Sequence, residues 1–236
     1  MTVDLHRATD RFHTQIDWLD SWHSFSFANH YDPANTHHGL LLVNNDDVVR
    51  GGRGFATHSH ADMEIVTWVL DGELEHRDST GTVGVIYPGL AQRMSAGSGI
   101  SHSEMNASAT ADVHLVQMWV LPDTQGIEPG YEQHDVSAAL TGGGLVTVAS
   151  GDPAKAGDGV RIHQRDAELL AGRLAPGIEV VVPAAPHVHV FVPVGSAELD
   201  GAGTLGTGDA ARLDSEDPQT LTAGPAGAEV LVWVTA

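Results

Sequence analysis

Short apolar runs broken by turn residues recur along most of this chain. "EIVTWVL" (64–70) is rich in β-branched and aromatic residues, which suit a pleated, half-buried strand. "ELEH" (73–76) then alternates polar and apolar positions before the turn cluster "RDSTG" (77–81). The same signature returns in "TVGVIYPG" (82–89), "DVHLVQMWVLP" (112–122) and "GLVTVAS" (144–150). It recurs in "GIEVVVP" (177–183), "HVHVFVPVG" (187–195) and "AEVLVWVTA" (228–236). Short strands separated by turn signals predict an all-β fold. Helical spacing is brief. "VSAALTGGG" (136–144) and "RDAELLAG" (165–172) are predicted helices, each stopping at Gly. Asp46 and Asp47 in "NNDDVV" read as a turn.

The pattern runs twice. "VLDGELEHRDSTG" (69–81) lies on "PVGSAELDGAGTLG" (193–206), with Gly72 on Gly195. Such self-similarity suggests a duplicated β-unit. The polar, Gly-rich stretch between residues 125 and 160 reads as the linker. Residues 1–134 and 135–236 are thus expected to form one unit each.

Composition narrows the function classes. Hydrophobic residues are 42% of the 236, enough for a sizeable core. The formal net charge is −20 and Lys155 is the single lysine. That field argues against binding nucleic acid or an anionic membrane, since such affinity rests on Lys and Arg meeting phosphates. No run approaches the ~20 apolar residues of a membrane helix, and the N-terminus carries no apolar signal core. A soluble cytoplasmic protein is expected. Cysteine is absent and histidine numbers 15, so a metal would be held by nitrogen and oxygen donors.

His58 and His60 stand two apart, as do His102 and Glu104. A strand puts residues i and i+2 on one face. Two adjacent strands would therefore offer three imidazoles and one carboxylate to one ion. That set suits Fe, Mn, Ni, Cu or Zn and leaves room for an exogenous ligand. A lone HxH in a His-rich chain is weak evidence; the second pair at strand spacing strengthens it. His187 and His189 form a further HxH. Counted from the aligned glycines, they fall on Glu64 and Val66, whereas His58 and His60 meet Val181 and Pro183. His102 and Glu104 fall near Leu221 and Ala223. The second unit is therefore expected to hold no metal, with His187 and His189 near the surface or the seam between the units.

"GGRGFATHSHADMEIVTWVLDG" (51–72) resembles the first cupin motif, and "PGLAQRMSAGSGISHSE" (88–104) resembles the second as pirins carry it. "WLDSWHSFSFANHYDP" (18–33) and "LVQMWVLPDTQGIEPGYEQH" (115–134) are similar to other segments of the same family. The resemblance covers most of residues 11–134 and is strongest to the bacterial quercetin 2,3-dioxygenase-like branch of the pirins. It implies a bicupin of two jelly-roll barrels, with one metal, foremost Fe(II), in the first and a degenerate second barrel. The implied ligands are His58, His60, His102 and Glu104. Many other cupins use the carboxylate of the first motif, here Glu64. Four residues of strand span ~13 Å, too far for one ion beside His58 unless a bulge intervenes. Glu64 is left to support the site from behind or to lie at the surface.

The implied activity is oxygenolytic ring cleavage of a flavonol such as quercetin, with a small aromatic substrate and O₂ as partners and a monomeric protein. Glu104 is the expected proton acceptor. Ligation needs neutral imidazoles, so activity is expected to fall as pH drops toward 6. A regulator that binds metal and a protein partner without turnover, or another cupin oxygenase, is the alternative. Phe55, Met63, Trp68, Met118 and Trp119 flank the motif strands; core packing is expected for most, with some free to line a flat pocket. Gly97 and Gly99 are expected to shape the turn before His102. His76 reads as a solvated strand residue, and His37 and His38 receive no role.

Overall fold

The computed structural model describes residues 2–215 and 217–236. The first half carries β1 (Thr2–His6), β2 (Phe12–Ile16), β3 (Leu19–His23), β4 (Leu41–Val49), β5 (Gly54–His60), β6 (Glu64–Asp71), β7 (Leu74–Asp78), β8 (Val83–Ile86), β9 (Leu90–Ser95), β10 (Ile100–Asn106), β11 (Val113–Val120) and β12 (Gly130–Asp135). A one-turn helix, α1 (Ser137–Leu140), leads into the second half. There follow β13 (Val146–Ser150), β14 (Val160–Arg161), β15 (Ala167–Leu174), β16 (Glu179–Val182), β17 (Ala185–Leu199), β18 (Gly203–Gly206), β19 (Ala210–Ser215) and β20 (Gln219–Thr235).

In the first half a seven-stranded sheet, ordered β12-β9-β6-β11-β4-β3-β2, faces a four-stranded sheet, ordered β5-β10-β7-β8. Val49, Val69 and Leu115 of the first meet Leu74 and Ile86 of the second in one core. In the second half one sheet, ordered β1-β19-β17-β20-β15-β13-β14, curls on itself because the long β17 and β20 also pair with β18 and β16. Bulges at Phe191/Val194 and Gly195/Ala197 turn β17 from one layer to the other. The N-terminal β1 pairs with β19 of the second half, so the chain begins on the far sheet.

The duplication is visible in the pairing: β5 pairs with β10 as β16 pairs with the start of β20. Gly72 and Gly195 both lie at positive φ, +79° and +82°, where only glycine avoids a steric cost. Val180, Val182, Leu221 and Ala223 fill the second barrel. Val181, aligned with His58, points outward and is exposed. The inward position there is one residue on.

The two halves press together through a third core. Val66, Trp68, Val116 and Met118 from the first half meet Leu169, Phe191, Leu231 and Trp233 from the second. Strand alternation explains this: Thr67 and Gln117 face the first barrel's interior, so their neighbours Trp68 and Met118 must face the seam.

Three sequence expectations fail here. "RDAELLAG" lies mostly in strand β15, paired on both sides by β13 and β20. Its Leu-Leu-Ala content favours a helix locally, and burial between two neighbours overrides that. Asp46 and Asp47 lie inside β4 rather than in a turn, because each finds a buried partner. The 125–160 stretch is only partly a linker: it contains β12, which pairs with β9 in the first barrel.

Candidate metal centre

β5 and β10 run antiparallel with His58 opposite His102 and His60 opposite Ile100. The register slips between His102 and Glu104, where Glu104 meets Phe55; β5 thus carries one extra residue, a bulge that re-aims its side chains. On β10, Ile100, His102, Glu104 and Asn106 all face inward and are buried. Gly97 and Gly99, at φ +47° and +133°, form the turn that delivers this strand.

The rings of His58, His60 and His102 converge, with centroids 4.8, 4.4 and 5.0 Å apart. Their donor nitrogens lie within 4.8 Å of one another. Nε2 of His60 and Nε2 of His102 are buried without a hydrogen-bond partner. An unpaired buried nitrogen costs about 1–3 kcal/mol, and two together mark a place for a shared ligand. The third ring is oriented as a metal ligand is: Nδ1 of His58 faces the Ala56 carbonyl at 2.8 Å. A carbonyl only accepts, so Nδ1 donates and the Nε2 lone pair is left free to ligate.

His102 has a similar support behind it. His76 Nε2 lies 3.0 Å from the Asp78 carboxylate, and its Nδ1 lies 3.4 Å from Nδ1 of His102. With Nε2 protonated toward Asp78, His76 accepts from His102 and leaves the lone pair on His102 Nε2 free. His76 is fully buried, with the Tyr131 ring 4.6 Å away, and so is not the solvated residue its alternating strand suggested. No local pattern announces it; only the β7–β10 register, which sets His76 opposite Glu104, puts it there.

Glu104 groups with His102 and His76, its donor atoms within 4.8 Å of theirs. The Gln117 side-chain nitrogen donates to both of its oxygens, at 3.0 and 2.8 Å. Trp119 Nε1 donates to the Gln117 carbonyl at 3.1 Å, which fixes the amide with its nitrogen toward Glu104. Burial raises the Glu104 carboxyl above its ordinary range, against the opposing pull of Gln117.

Burial also lowers His60 to about 4 and His102 to about 3, with the neighbouring histidines adding to the shift. Both rings are therefore neutral donors at pH 7, as divalent transition-metal binding requires. Their protonation lies below the pH 6 expected from an ordinary imidazole. The folded values sit under the unfolded 6.5, so the unfolded chain takes up protons first as pH falls. The metal-free protein is expected to keep its full stability above pH 6.5 and to lose it progressively toward pH 4. Melting temperatures across that range check this; a flat profile would contradict it.

Glu64 lies elsewhere. It is fully buried, and one carboxylate oxygen accepts from Ser95 Oγ at 2.9 Å and from the backbone N–H of His163 at 3.0 Å. It ties β6 to the segment entering the second half and is neither a surface carboxylate nor a support of the histidines. Glu64→Ala takes the acceptor from the His163 N–H and one of two partners from Ser95 Oγ, so unfolding in denaturant should show a loss of about 1–3 kcal/mol with unchanged metal content.

His58, His60 and Glu104 border a cavity of about 500 Å³, while the buried His102 is not part of its lining. Trp18, Phe27, Phe55 and Trp119 give it flat apolar walls. Ser21, Asn45, Asp47 and Gln117 give it a polar strip. Asp47 accepts from the Ser21 hydroxyl, yet burial pushes it up to about 7, with Asp46 and Glu104 adding repulsion. Of the aromatic and thioether residues beside the motifs, Phe55 and Trp119 line the cavity. Trp68 and Met118 fill the seam, and Met63 packs by Ile65 and Met94. His189 is fully buried at the seam against Phe25, while His187 is half exposed.

Comparison with known proteins agrees with this architecture. Residues 5–120 match the family model described as pirin, and residues 147–233 match the quercetinase C-terminal cupin domain. A Mycobacterium tuberculosis relative, provisionally named a quercetin 2,3-dioxygenase, is 55% identical over 98% of this chain and 94% of its own length. The quercetin 2,3-dioxygenase of Escherichia coli K12 is 44% identical over 84% of each chain. The crystal structure of YhhW from Escherichia coli superposes with a TM-score of 0.91 at 38% identity, covering 100% of this chain and 98% of that one. The structure of YhhW in complex with nickel(II) gives 0.89 at 37%, covering 99% of each. With two cupin-type units, a cluster of inward-facing histidines in the first and relatives matched along nearly the whole length, the chain belongs to the pirin family of bicupins.

Proposed function

We propose that this protein is a metal-dependent dioxygenase that opens the ring of a flavonol such as quercetin. Its mononuclear centre is held by His58, His60, His102 and Glu104, with Fe(II) as the native metal and Mn, Ni, Cu or Zn able to occupy the same donors. The observation that carries this reading is the pair of unpaired, buried Nε2 atoms of His60 and His102, beside a flat-walled cavity. The relatives named above support the substrate class. In this reading residues 1–134 carry the chemistry. Residues 135–236 supply a second barrel whose interior, at Val180, Val182, Leu221 and Ala223, offers no donor.

When bound, the metal supplies Lewis acidity toward the flavonol 3-hydroxyl and a route for electrons toward O₂. The chain's own groups do the rest. Glu104, raised in basicity by burial, accepts the 3-hydroxyl proton. Gln117 holds both carboxylate oxygens in place as that proton arrives. Trp18, Phe55 and Trp119 sandwich the planar substrate and exclude water from it. Tight positioning of two reactants is itself a large rate term.

Aerobic incubation with quercetin tests the proposal. Protein loaded with iron, manganese, nickel or copper is expected to bleach the near-visible flavonol band and release carbon monoxide. An unchanged spectrum with all four metals would sink it.

A further inference from the structure

The second HxH of the sequence divides its residues between two environments. His189 turns into the seam. His187, on β17, turns toward Asp214 of β19 and His38, which lies in the loop ahead of β4. Nδ1 of His187 lies 2.9 Å from Oδ1 of Asp214, and Nε2 of His38 lies 3.9 Å from the same oxygen. The two imidazoles meet edge to face at 5.1 Å, and all three donor atoms fall within 4.8 Å of one another. The three residues come from three separate segments and both halves of the chain.

This cluster is held in position by its surroundings. Gly39 sits at φ +54°, and a Cβ there would lie 2.2 Å from Thr235 Oγ1 and 2.8 Å from the His187 Cβ. Glycine is what lets the loop press against β17 and bring His38 to His187. The loop is fixed on both sides of that glycine. His38 and Leu41 exchange both backbone hydrogen bonds, at 3.0 and 3.1 Å, and the Leu40 N–H donates to Thr235 Oγ1 at 3.3 Å. Side-chain exposure rises from 13% at His38 to 38% at His187 and 53% at Asp214, so one side is closed by protein and the other is open to water. His38 Nε2 also lies 3.4 Å from the Leu213 carbonyl, a long contact that a stronger ligand can replace.

We propose that His38, His187 and Asp214 form a second divalent-cation site, of zinc type, at the seam between the two halves. Zinc takes nitrogen and carboxylate ligands at about 2.0–2.2 Å, which sets tetrahedral donors roughly 3.4 Å apart. The observed 2.9 and 3.9 Å bracket that value, so small side-chain rotations suffice, and solvent completes the shell. The net charge of −20 favours cation capture. Bound there, the ion ties the loop before β4 to the second sheet. The site lies outside both barrel interiors and does not depend on the proposed oxygenase reaction.

Zinc stoichiometry by equilibrium dialysis, with thermal melting, tests this. The His58→Ala/His60→Ala double variant is expected to bind one zinc ion per chain and to melt higher in its presence. Adding Asp214→Asn or His187→Gln is expected to abolish both effects. Conversely, Asp214→Asn alone should lower the wild-type stoichiometry from two to one and leave quercetin turnover by the iron-loaded protein unchanged. The proposal is overturned if the double variant binds no stoichiometric zinc. It is equally overturned if that zinc persists undiminished after Asp214→Asn and His187→Gln.

Discussion

Purified His102→Ala protein is expected to retain no stoichiometric metal in its first barrel and to leave quercetin untouched. His102 is shared by both donor groups of that barrel and is backed by His76 and Asp78, so its loss removes the proposed ligand and frees its support together. Alanine also relieves a buried unpaired nitrogen, so the fold should survive; circular dichroism checks that. Glu104→Gln makes the informative comparison. The amide keeps the size of the carboxylate but is a poor proton acceptor, and losing a positioned general base typically costs about 10²–10⁴-fold in rate. Metal analysis and turnover measured on both variants separate ligation from proton transfer. Full activity in His102→Ala would contradict the assigned centre.

Trp68→Ala is expected to give the largest loss of stability of any single side-chain truncation at the seam. The ring is completely buried among residues of both halves. Its Nε1 donates to Glu229 at 2.8 Å, Glu229 accepts from Arg173 at 3.1 Å, and the Arg173 guanidinium lies 5.9 Å from the Trp68 ring centre. Removing the indole leaves a cavity and takes one partner from the Glu229 carboxylate, whose side chain is only 12% exposed. Truncation of such a residue costs about 3–5 kcal/mol. Because Trp68 belongs to the first half and its partners to the second, both halves should melt in one lowered transition. Unfolding followed by intrinsic fluorescence and by metal release measures this; a shift of only a few tenths of a kcal/mol would show that the seam does not couple the halves.

The strand pattern and the position of each motif were legible because strand alternation is a local property. "EIVTWVL" and "DVHLVQMWVLP" became β6 and β11, and the pairs His58/His60 and His102/Glu104 lie on adjacent, paired strands. Local propensity misled at "RDAELLAG" and at Asp46 and Asp47, where burial between neighbouring strands outweighs the preference of the individual residues. The supports of the site had no local signature. His76 and Gln117 are ordinary strand residues until register sets them beside His102 and Glu104, and the cavity takes the rest of its polar strip from β3 and β4, far from either motif.

Local pattern was enough for an all-β duplicated chain, for the two convergent pairs His58/His60 and His102/Glu104, and for the lack of such donors at the matching positions of the second barrel. Periodicity of two residues dictates which side chains share a face, and glycine at Gly72 and Gly195 dictates where the chain can turn. What lies behind those faces came from strand register and packing. Tertiary structure sent Glu64 to the seam and buried His76 against His102. It also set His38 beside His187 and Asp214. Each of these depends on register between strands or on packing between halves, and that information is spread over the whole chain.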